Sequence, residues 1–504
     1  METKYVFNPA YLMFNDKKRI IITDSIYVEK DPLAKKEFRF NAHPICAMFV
    51  AMFDGQHSFE ETIHKASINL DMDEKILTSV AKNLIDNPQE KVITFGEINS
   101  FFPRRTLIRK DEAEKLFGLI RTYKIRDLFI SNDSIDMETE RFFRPLEVTL
   151  VLNLKCTTDC VYCYADRTKT HTLLPTKRII ELVDEAKNIG MRNIELTGGE
   201  VFLHKDWELI LKQITQNGFM PYISTKMPID EDTIMRYKGA GMKKIQVSID
   251  SLDAETLVKL LKTDIDYVSR IIKTLDLLEK NDIEVITHTI LTTHNSSAYS
   301  IRQLVNKLNS YSNISRMRFD FVGYSIYLDC ATNLKNMLSE EESKQALAAV
   351  EELITDFPKV EIGGIATMEN SFQLSEEDFK KRSICSGNLW GFYVLPDGKV
   401  TYCEETYWHE KFILGDLNYQ SIEEMWNSDL AKGIFYRTKE CFQEESVCSS
   451  CDDFDDCQRV PGVCWKEIIG FYGTDNWSFP DPRCPKAPAP IYPFRSKQLG
   501  TSTK

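Results

Sequence analysis

The chain has 504 residues, a formal net charge of −13 and 43% hydrophobic residues, so it can bury sizeable cores, and roughly three domains are expected. Its sequence pI of about 5.3 argues against a general nucleic-acid binder, which is more often basic. The sequence contains neither an apolar run long enough for a membrane span nor the apolar core of a signal peptide, so a cytoplasmic location is expected. In that reducing compartment the thirteen cysteines are expected as metal ligands or thiols rather than disulfides.

Residues 1–97 are predicted to form a small domain of their own. Two apolar runs at 11–14 and 19–23 flank a polar turn, which predicts a β-hairpin. Three short helices are predicted to follow, and the second of them opens at Ser58 with a capping-box pattern. A hairpin followed by three short helices resembles the winged-helix module called the RiPP recognition element, where RiPP stands for ribosomally made, post-translationally modified peptide.

That resemblance implies that the N-terminal domain binds the leader of a precursor peptide, usually as a strand added to an exposed sheet edge. The alternative is a generic winged helix that packs against or binds something else. Residues 98–144, with a helix predicted from 111 to 123, are interpreted as a bridging segment without chemistry of its own.

Residues 145–375 alternate between predicted strands and helices, which indicates an α/β fold with a parallel sheet. Functional groups of such sheets gather at the C-terminal ends of the strands. The predicted strands are 146–154, 193–197, 221–225, 244–249, 285–291 and 317–322. The helices predicted between the first four strands are 176–189, 206–216 and 230–237.

Three cysteines follow the first predicted strand, with three and then two residues between them: Cys156, Cys160 and Cys163. A closed 4Fe–4S site has four ligands, so three thiolates would leave one iron open to another ligand. This spacing, with the aromatic Tyr162 just before the third cysteine, resembles the radical S-adenosylmethionine (radical SAM) enzymes. The alternatives are a surface zinc loop and three unrelated thiols.

The resemblance implies a partial (β/α)6 barrel in which the open iron chelates the amino and carboxylate groups of SAM. Reductive cleavage of SAM then yields a 5′-deoxyadenosyl radical that abstracts a hydrogen atom from the substrate. The resemblance also implies that residues of the cysteine loop and the strand ends hold SAM. These residues are Tyr162, Gly198, Gly199, Glu200, Ser224, Thr225, Ser248 and Asp250.

The two glycines follow the second strand, where their backbone can approach a ligand closely, and the Gly-Gly-Glu motif of the family meets the amino group of SAM. The polar residues that end the third and fourth strands are implied to bind the SAM carboxylate or the ribose hydroxyls. The family usually ends its third strand with Thr-Asn-Gly, whereas this chain has Thr225-Lys226-Met227. Capping of the next helix is the alternative role for Ser248 and Asp250.

Eight further cysteines lie between residues 385 and 484, and an Asp397-Gly398 turn predicts a hairpin among them. The segment 376–490 closely resembles the SPASM domain, which binds two auxiliary 4Fe–4S clusters, and residues 491–504 form a tail. The resemblance implies an outer set of ligands and an inner set. The outer set is Cys448, Cys451, Cys457 and Cys484, and the inner set is Cys385, Cys403 and Cys464, with Cys441 or a substrate thiol as its fourth ligand.

Two details of this segment leave alternatives open. Six residues, including Pro461-Gly462, separate Cys457 from Cys464, where the family has three, and zinc is the alternative metal. Glu404 directly follows Cys403, and some SPASM enzymes carry an acidic residue there that takes a proton from the substrate. Partial burial could give it the raised pKa that this role needs, and a solvated surface acid is the alternative.

The whole sequence predicts a radical SAM peptide maturase that installs a cross-link, with a cysteine thioether as the leading expectation. Its expected partners are a precursor peptide, bound by residues 1–97, and an electron donor of the flavodoxin or ferredoxin type. The enzymatic alternatives are carbon–carbon or carbon–oxygen cross-linking, epimerisation and protein oxidation. A non-catalytic Fe–S carrier or scaffold is the alternative from another class. His204, His288 and His294 are expected to be structural.

Overall fold

The computed structural model of the chain describes residues 3–34, 40–166, 172–363, 373–382, 385–407, 409–458 and 463–491. The chain divides into two compact units, residues 1–144 and 145–504. No helix in these described segments is long and apolar enough to cross a membrane. The Pro461-Gly462 insertion and nearly all of the predicted tail lie outside the described residues.

The first unit combines short antiparallel strands with short helices. Its strands are β1 (Tyr5–Phe7), β2 (Tyr11–Asn15), β3 (Ile20–Asp24), β4 (Phe40–Ala42), β5 (Lys91–Phe95), β6 (Ile98–Phe102) and β7 (Leu107–Arg109). Its helices are α1 (Pro44–Ala51), α2 (Phe59–Leu70), α3 (Glu74–Leu84) and α4 (Lys110–Phe117). The strands form one three-stranded sheet, β2-β3-β4, and two pairs, β1–β7 and β5–β6.

Local sequence signals account for the beginning of this unit. The predicted hairpin is β2–β3, in which Phe14 lies opposite Ile21. The predicted capping box begins α2: the hydroxyl of Ser58 accepts a hydrogen bond from the Glu61 N–H at 3.3 Å, and the Glu61 carboxylate accepts one from the Ser58 N–H at 2.9 Å. Two backbone donors that would otherwise be unsatisfied at the helix start are therefore paired.

Residues 98–144 are part of the first unit and are not a bridging segment. β6 begins at residue 98 and pairs with β5, so a boundary after residue 97 would cut this hairpin at its turn. β7 pairs antiparallel with β1, and Leu107 and Ile108 are fully buried in the core of the unit. The sequence suggested a boundary because a hairpin turn and an inter-domain linker use the same types of residue.

The second unit contains the predicted alternation of strands and helices. Its strands are β8 (Glu147–Val151), β9 (Asn193–Thr197), β10 (Ser224–Thr225), β11 (Lys244–Ser248), β12 (Glu284–Leu291), β13 (Ile314–Phe321), β14 (Val360–Ile362), β15 (Gly391–Val394), β16 (Lys399–Thr401) and β17 (Ile413–Asp416). Its helices are α5 (Thr176–Asn188), α6 (Trp207–Gln216), α7 (Glu231–Gly239), α8 (Ala254–Leu261), α9 (Tyr267–Lys280), α10 (Ala298–Asn309), α11 (Cys330–Asn336), α12 (Glu340–Asp356), α13 (Glu376–Lys380), α14 (Ile422–Trp426), α15 (Asp429–Phe435), α16 (Phe454–Gln458) and α17 (Trp465–Tyr472).

Strands β8 to β13 are the six strands of the predicted partial (β/α)6 barrel, which confirms the α/β fold class. β8 and β9 pair in parallel, and β10 to β13 pair in parallel in chain order. Alternate side chains of the strands, such as Ile245 and Val285, are buried in one large core with the helices. The parallel arrangement gathers the C-terminal ends of the strands at one edge.

The third predicted strand, 221–225, is shorter in the structure, where side chains of β9 bind the backbone just before β10. The carboxylate of Glu195 on β9 accepts a hydrogen bond from the Tyr222 N–H. The amide of Asn193 accepts from the Met220 N–H at 3.0 Å and donates to the Met220 carbonyl at 3.1 Å. Two side chains of β9 therefore connect the two sheets at this point.

A β-hairpin extends the sheet that contains β8. β15 and β16 form the antiparallel hairpin predicted at the Asp397-Gly398 turn, where Gly398 adopts a φ of +89° that favours glycine. β15 also pairs in parallel with β8, which gives the strand order β17-β16-β15-β8-β9. The hairpin that leads to Cys403 therefore shares a sheet with the strand that leads to Cys156.

Candidate functional site

The first cysteine loop follows β8, at the C-terminal end of that strand. Its three cysteines, Cys156, Cys160 and Cys163, are partly exposed. The hydroxyl oxygen of Thr158 lies 3.3 Å from the Sγ atom of Cys156 and 3.3 Å from that of Cys160. Burial raises the pKa of the Cys160 thiol, so a bound cation such as iron would be needed to hold it as a thiolate at neutral pH.

The two glycines after β9 lie directly against the start of this loop. The N–H of Gly199 donates a hydrogen bond to the carbonyl of Asn153 at 2.8 Å. A Cβ atom on Gly199 would lie 2.2 Å from the carbonyl oxygen of Lys155, and one on Gly198 would lie 2.5 Å from that of Asn153. Only glycine permits so close an approach, which fixes the glycine turn relative to the cysteine loop.

Glu200 and the end of β10 form one hydrogen-bonded group. Glu200 is 2% exposed, and its carboxylate accepts hydrogen bonds from the Thr225 hydroxyl at 2.8 Å and the Phe202 N–H at 3.3 Å. Burial raises the pKa of this carboxyl group. Ser224 is the partly exposed residue before Thr225. The Thr225 hydroxyl is therefore engaged with Glu200, in a place where a carboxylate can receive an ammonium group.

Lys226, the residue that departs from the family motif, is half-buried between a carboxylate and a tyrosine. Its ammonium group donates to the Asp250 carboxylate at 2.8 Å and to the Tyr162 hydroxyl at 2.5 Å, and it lies 5.0 Å from the centre of the Tyr162 ring. The Tyr162 hydroxyl also donates to Asp250. The Lys226 ammonium interacts electrostatically with Cys156 and Cys160. A lysine, an aspartate and a tyrosine therefore form one cluster beside the cysteine loop.

Ser248 and Asp250 do not cap the helix that follows β11. That helix, α8, is capped by Asp253, whose carboxylate accepts a hydrogen bond from the Thr256 N–H at 2.8 Å. The hydroxyl of Ser248 accepts from the side-chain amide of Gln246 at 3.0 Å, and Asp250 accepts from a backbone N–H of β12 at 2.9 Å. Both residues remain at the strand ends where SAM ligands were predicted.

Of the outer set, Cys448 and Cys451 precede α16, Cys457 lies in α16, and Cys484 lies in a turn after α17. Cys448 interacts electrostatically with Cys457 and Cys484, and Cys484 also interacts with Cys451. Burial raises the pKa of Cys448 to about 12. The four thiols predicted to share one cluster therefore lie in one group.

The inner set follows the same pattern with three members. Cys403 interacts electrostatically with Cys385 and Cys464, and burial holds the pKa of Cys403 well above its usual range. Cys441 is exposed, and its Sγ atom lies 3.7 Å from the hydroxyl of Thr438. In the described part of the chain Cys441 has no electrostatic interaction with the inner thiols.

Two families match the chain. Residues 150–307 match the radical SAM superfamily, and residues 385–452 match SPASM, an iron–sulfur cluster-binding domain. The first range contains the first cysteine loop and the glycine turn, and the second contains Cys385, Cys403, Cys441, Cys448 and Cys451. The chain therefore contains a radical SAM domain and a SPASM domain.

Two proteins of related sequence align with different fractions of this chain. A probable GTP 3′,8-cyclase of Saccharolobus islandicus is 31% identical over 137 residues, which are 27% of this chain and 44% of the relative. This radical SAM/SPASM chain thus spans less than half the length of that cyclase. A PqqA peptide cyclase of Granulibacter bethesdensis is 22% identical over 68% of this chain and 88% of the relative.

Solved structures of Streptococcus suis SuiB share the fold over most of the chain. SuiB bound to S-adenosylmethionine has a TM-score of 0.62 and 16% identity, and it covers 94% of this chain and 99% of SuiB. SuiB bound to the precursor peptide SuiA has the same TM-score and identity, with coverages of 95% and 98%.

The cofactors of this radical SAM/SPASM protein are 4Fe–4S clusters and SAM. No three His, Cys, Asp or Glu side chains of the described segments converge closely enough for a single metal ion. A cube places each cysteine at a different iron, so its sulfur ligands are spread more widely than those of one zinc ion. The first cysteine loop, the inner set and the outer set have the ligand type that such clusters require, and the Glu200 group and the Lys226 cluster would hold SAM.

Glu404 lies between the two cysteine regions. Its carboxylate accepts a hydrogen bond from the Tyr164 hydroxyl at 3.1 Å, and Tyr164 directly follows Cys163. Burial is the main cause of the raised pKa of Glu404, and the neighbouring Glu405 raises it further. Glu404 is therefore not a fully solvated surface acid.

Sequence reasoning missed several polar residues that organise this site. It assigned no role to Tyr164 or Asn153, because neither belongs to a motif with a stated function. It left His288 as a lone histidine, whereas the ring lies 2.8 Å from the carboxylate of Asp320, which also accepts from Arg318 at 2.7 Å. The alternation of polar residues along β13 is the signal that could have suggested a polar interior face.

Proposed function

We propose that this radical SAM/SPASM protein modifies a ribosomally made precursor peptide by hydrogen abstraction and installs a cross-link in it. The observation that carries the proposal is the hydrogen bond between Tyr164 and Glu404. Tyr164 adjoins Cys163 of the first cysteine loop, and Glu404 adjoins Cys403 of the inner set. The two cysteine regions therefore border one reaction space, in which a peptide could meet both.

The residues of the chain have separable tasks in this space. The bound cofactors supply an electron and a 5′-deoxyadenosyl radical that can break an unactivated C–H bond. The glycine turn and Glu200 receive the ammonium group of SAM, since a buried carboxylate favours a cation. Lys226 holds Tyr162 and Asp250 in place beside it. Glu404, with its raised pKa, accepts a proton from the substrate.

A cysteine thioether is the cross-link that we favour. The inner set has three cysteines, and Cys441 is exposed at a site without interaction with them in the described residues. A fourth coordination position is thus available for the thiol of a substrate cysteine. The fold of SuiB and the PqqA peptide cyclase similarity support a peptide as the substrate class, since the first was solved with a precursor peptide and the second is named for one.

We further propose that the first unit binds the leader of the precursor. An apolar groove runs between α1, α3 and β5, and it is lined by Ile45, Cys46, Phe49, Met72, Ile76, Leu77, Val80, Ile93, Thr94 and Phe95. In the described part of the chain β5 pairs only with β6, so its other edge is open. A leader strand added there would place alternate apolar side chains in the groove.

The decisive experiment screens short peptides encoded beside the gene as candidate precursors, with a cysteine-containing peptide as the expected substrate. Anaerobic incubation with reconstituted enzyme, SAM and dithionite should remove two hydrogen atoms from the peptide and protect one cysteine from alkylation. If the peptide lost two hydrogen atoms while every cysteine could still be alkylated, the product would be a carbon–carbon or carbon–oxygen link, or an oxidised residue, and not a thioether. Solvent deuterium uptake without that loss of mass would indicate epimerisation. Replacement of dithionite by a flavodoxin or ferredoxin tests the proposed donor.

Leader binding has its own test in the groove. Leu77 is 2% exposed and Ile76 is 56% exposed, so Ile76→Asp adds a charge at the rim without disturbing the core. This variant should weaken binding of a fluorescent leader peptide and raise the Michaelis constant for the precursor. Ile68→Asp, at a 68% exposed site on α2 outside the groove, is the control. Equal binding by the Ile76 and Ile68 variants would contradict the groove as the leader site.

A further inference from the structure

Three cations, Arg382, Arg437 and Lys486, lie around the outer set of cysteines. Arg382 is 7% exposed, and one of its terminal nitrogens donates to the Cys457 carbonyl at 3.2 Å and lies 3.7 Å from the Cys457 sulfur. The ammonium group of Lys486 lies 3.7 Å from the sulfur of Cys451 and is also paired with Asp453 at 2.6 Å. Two thiols of the set therefore have a cationic hydrogen-bond donor.

Arg437 is the third cation and the most informative one. Its guanidinium lies 4.8 Å from the ring centre of Trp465 and 5.8 Å from that of Phe442. It interacts electrostatically with Cys457 and Cys448, and burial lowers its pKa to about 10. Its Nε atom is buried without a hydrogen-bond partner, and no ion pair with a carboxylate is found for it in the described segments.

A cation in this position needs a counter-charge. Moving a guanidinium out of water has a large cost in free energy. That cost is offset only when an anion lies close to the guanidinium. The thiols that it faces become thiolates when they bind iron, and the resulting cluster carries net negative charge. The outer cluster is therefore the anion that would compensate Arg437.

The inner set has several carboxylates around it, one of which, Asp481, also faces Cys484 of the outer set. Its thiols interact electrostatically with the carboxylates of Glu405, Glu467 and Asp481. The two cations nearby are already paired, because Lys466 lies 2.6 Å from Glu405 and Arg483 lies 2.7 Å from Asp481. Charge therefore favours electron uptake at the outer set and disfavours it at the inner set.

We propose that Arg437, together with Arg382, holds the reduction potential of the outer cluster above that of the inner cluster. Net charge and hydrogen bonds to the sulfurs are the protein's main means of adjusting such potentials. This order of reduction potentials favours the transfer of one electron from the inner cluster to the outer cluster. The inner cluster is oxidised and the outer cluster is reduced. The inference rests on the two-cluster assignment of the proposed function but not on the substrate or the bond formed.

The test is a potentiometric EPR titration of the reconstituted protein in a background where Cys156, Cys160 and Cys163 are alanine, so that only the two SPASM clusters contribute. Arg437→Met should shift the midpoint of the outer cluster to a more negative potential. A tenfold fall in the ratio of reduced to oxidised cluster at fixed potential corresponds to about 59 mV. Arg437→Lys retains the positive charge and should shift the midpoint potential of the outer cluster less. The midpoint potential of the inner cluster should not change in either variant.

Arg382→Met provides a second, independent variant that should shift the outer midpoint in the same direction. This inference would be overturned, and the proposed function left intact, by either of two results. The first is an outer-cluster midpoint potential that is unchanged in both methionine variants. The second is an outer-cluster midpoint potential that lies below that of the inner cluster when both arginines are present. If the protein that retains Arg382 and Arg437 bound no outer cluster, as judged by its iron content, both the two-cluster assignment and this inference would be wrong. Equal shifts of both clusters would indicate a general structural change and would also overturn it.

Discussion

The first cysteine loop and the outer cysteine set are both expected to hold a 4Fe–4S cluster, but the chain builds them differently. The first loop is fixed by backbone: it follows a strand of a parallel sheet and rests on a glycine turn with no room for a side chain. The outer set lies on short turns and one short helix, and it is surrounded by charged side chains, among them Arg382 and Arg437. The first loop is therefore positioned mainly by backbone contacts, whereas the outer set is surrounded mainly by charged side chains.

The difference explains where sequence reasoning succeeded. A site that is positioned by the backbone can be predicted from strand periodicity and from the spacing of residues within a short motif. Charge-built sites depend on residues that are far apart in the chain, such as Arg382 and Cys457. Three kinds of substitution test this difference: removal of one cysteine set, a change in the backbone support of the first loop, and a change in the side chains next to it.

The largest effect should come from removal of whole cysteine sets. The wild-type chain should bind about twelve iron atoms, from three clusters of four. Replacement of Cys156, Cys160 and Cys163 by alanine should remove about four iron atoms and leave the SPASM clusters, because their ligands lie on other loops. Iron and sulfide analysis after anaerobic reconstitution measures this. Saturation of the wild type near four iron atoms would remove the auxiliary clusters from the account.

The next effect tests the backbone support. Gly199→Ala should lower SAM cleavage by about 100-fold, since a displacement of about 1 Å at a reacting centre can cost that much. The reason is the 2.2 Å approach that its Cβ would make to the Lys155 carbonyl. Gly239→Ala adds a Cβ atom to α7 with no heavy atom within 4 Å and serves as the control. Equal cleavage rates in the two variants would show that the glycine turn does not set the geometry.

A smaller effect is expected from the polar cluster next to the loop. Lys226→Met leaves Asp250 without its ammonium partner and should weaken SAM binding about tenfold, which is the size of one charge-assisted hydrogen bond of about 1.5 kcal/mol. Isothermal titration calorimetry with SAM on the reconstituted protein measures the affinity. Lys259→Met, on the exposed face of α8, is the matched control. Unchanged affinity in the Lys226 variant would remove this cluster from the SAM site.

The smallest effect concerns the link between the sheets. Burial raises the pKa of Glu195 from 4.5 to about 7, so the native state holds this proton more tightly than the unfolded state does. Its contribution to stability is therefore fully present below pH 4.5 and is lost as the pH rises through about 7.

Glu195→Gln should make the melting temperature depend less on pH between 4.5 and 7, because the variant has no carboxyl group to titrate there. Differential scanning calorimetry at several pH values, with the exposed Glu255→Gln as control, measures that slope. Identical slopes for the wild type and the Glu195 variant would show that this carboxyl does not titrate in that range.

Much of the fold could be predicted, and the exceptions have physical reasons. The strands and helices around the first cysteine loop follow clear hydrophobic periodicity, and β9 has the predicted bounds. The third strand is shorter than predicted, and the backbone before it is bound by the side chains of Glu195 and Asn193, which no local pattern reveals. The domain boundary at residue 97 fell within a hairpin, because turns and linkers have the same composition.

The candidate site shows the same division. The cysteines, the glycine turn and Asp250 belong to short motifs, so the sequence could place them. The ammonium of Lys226 and the hydroxyl of Tyr164 acquire roles only through partners 24 and 240 residues away. Long-range pairing of this kind is visible only once the chain has folded.

The central claim is that Cys156, Cys160 and Cys163 hold the centre at which SAM is cleaved. The most direct measurement is the release of 5′-deoxyadenosine from SAM and dithionite by the anaerobically reconstituted protein, quantified by liquid chromatography. The account predicts release by the wild type and none by the variant in which these three cysteines are alanine, while that variant keeps its SPASM cluster spectrum. Undiminished release by the variant would contradict the account.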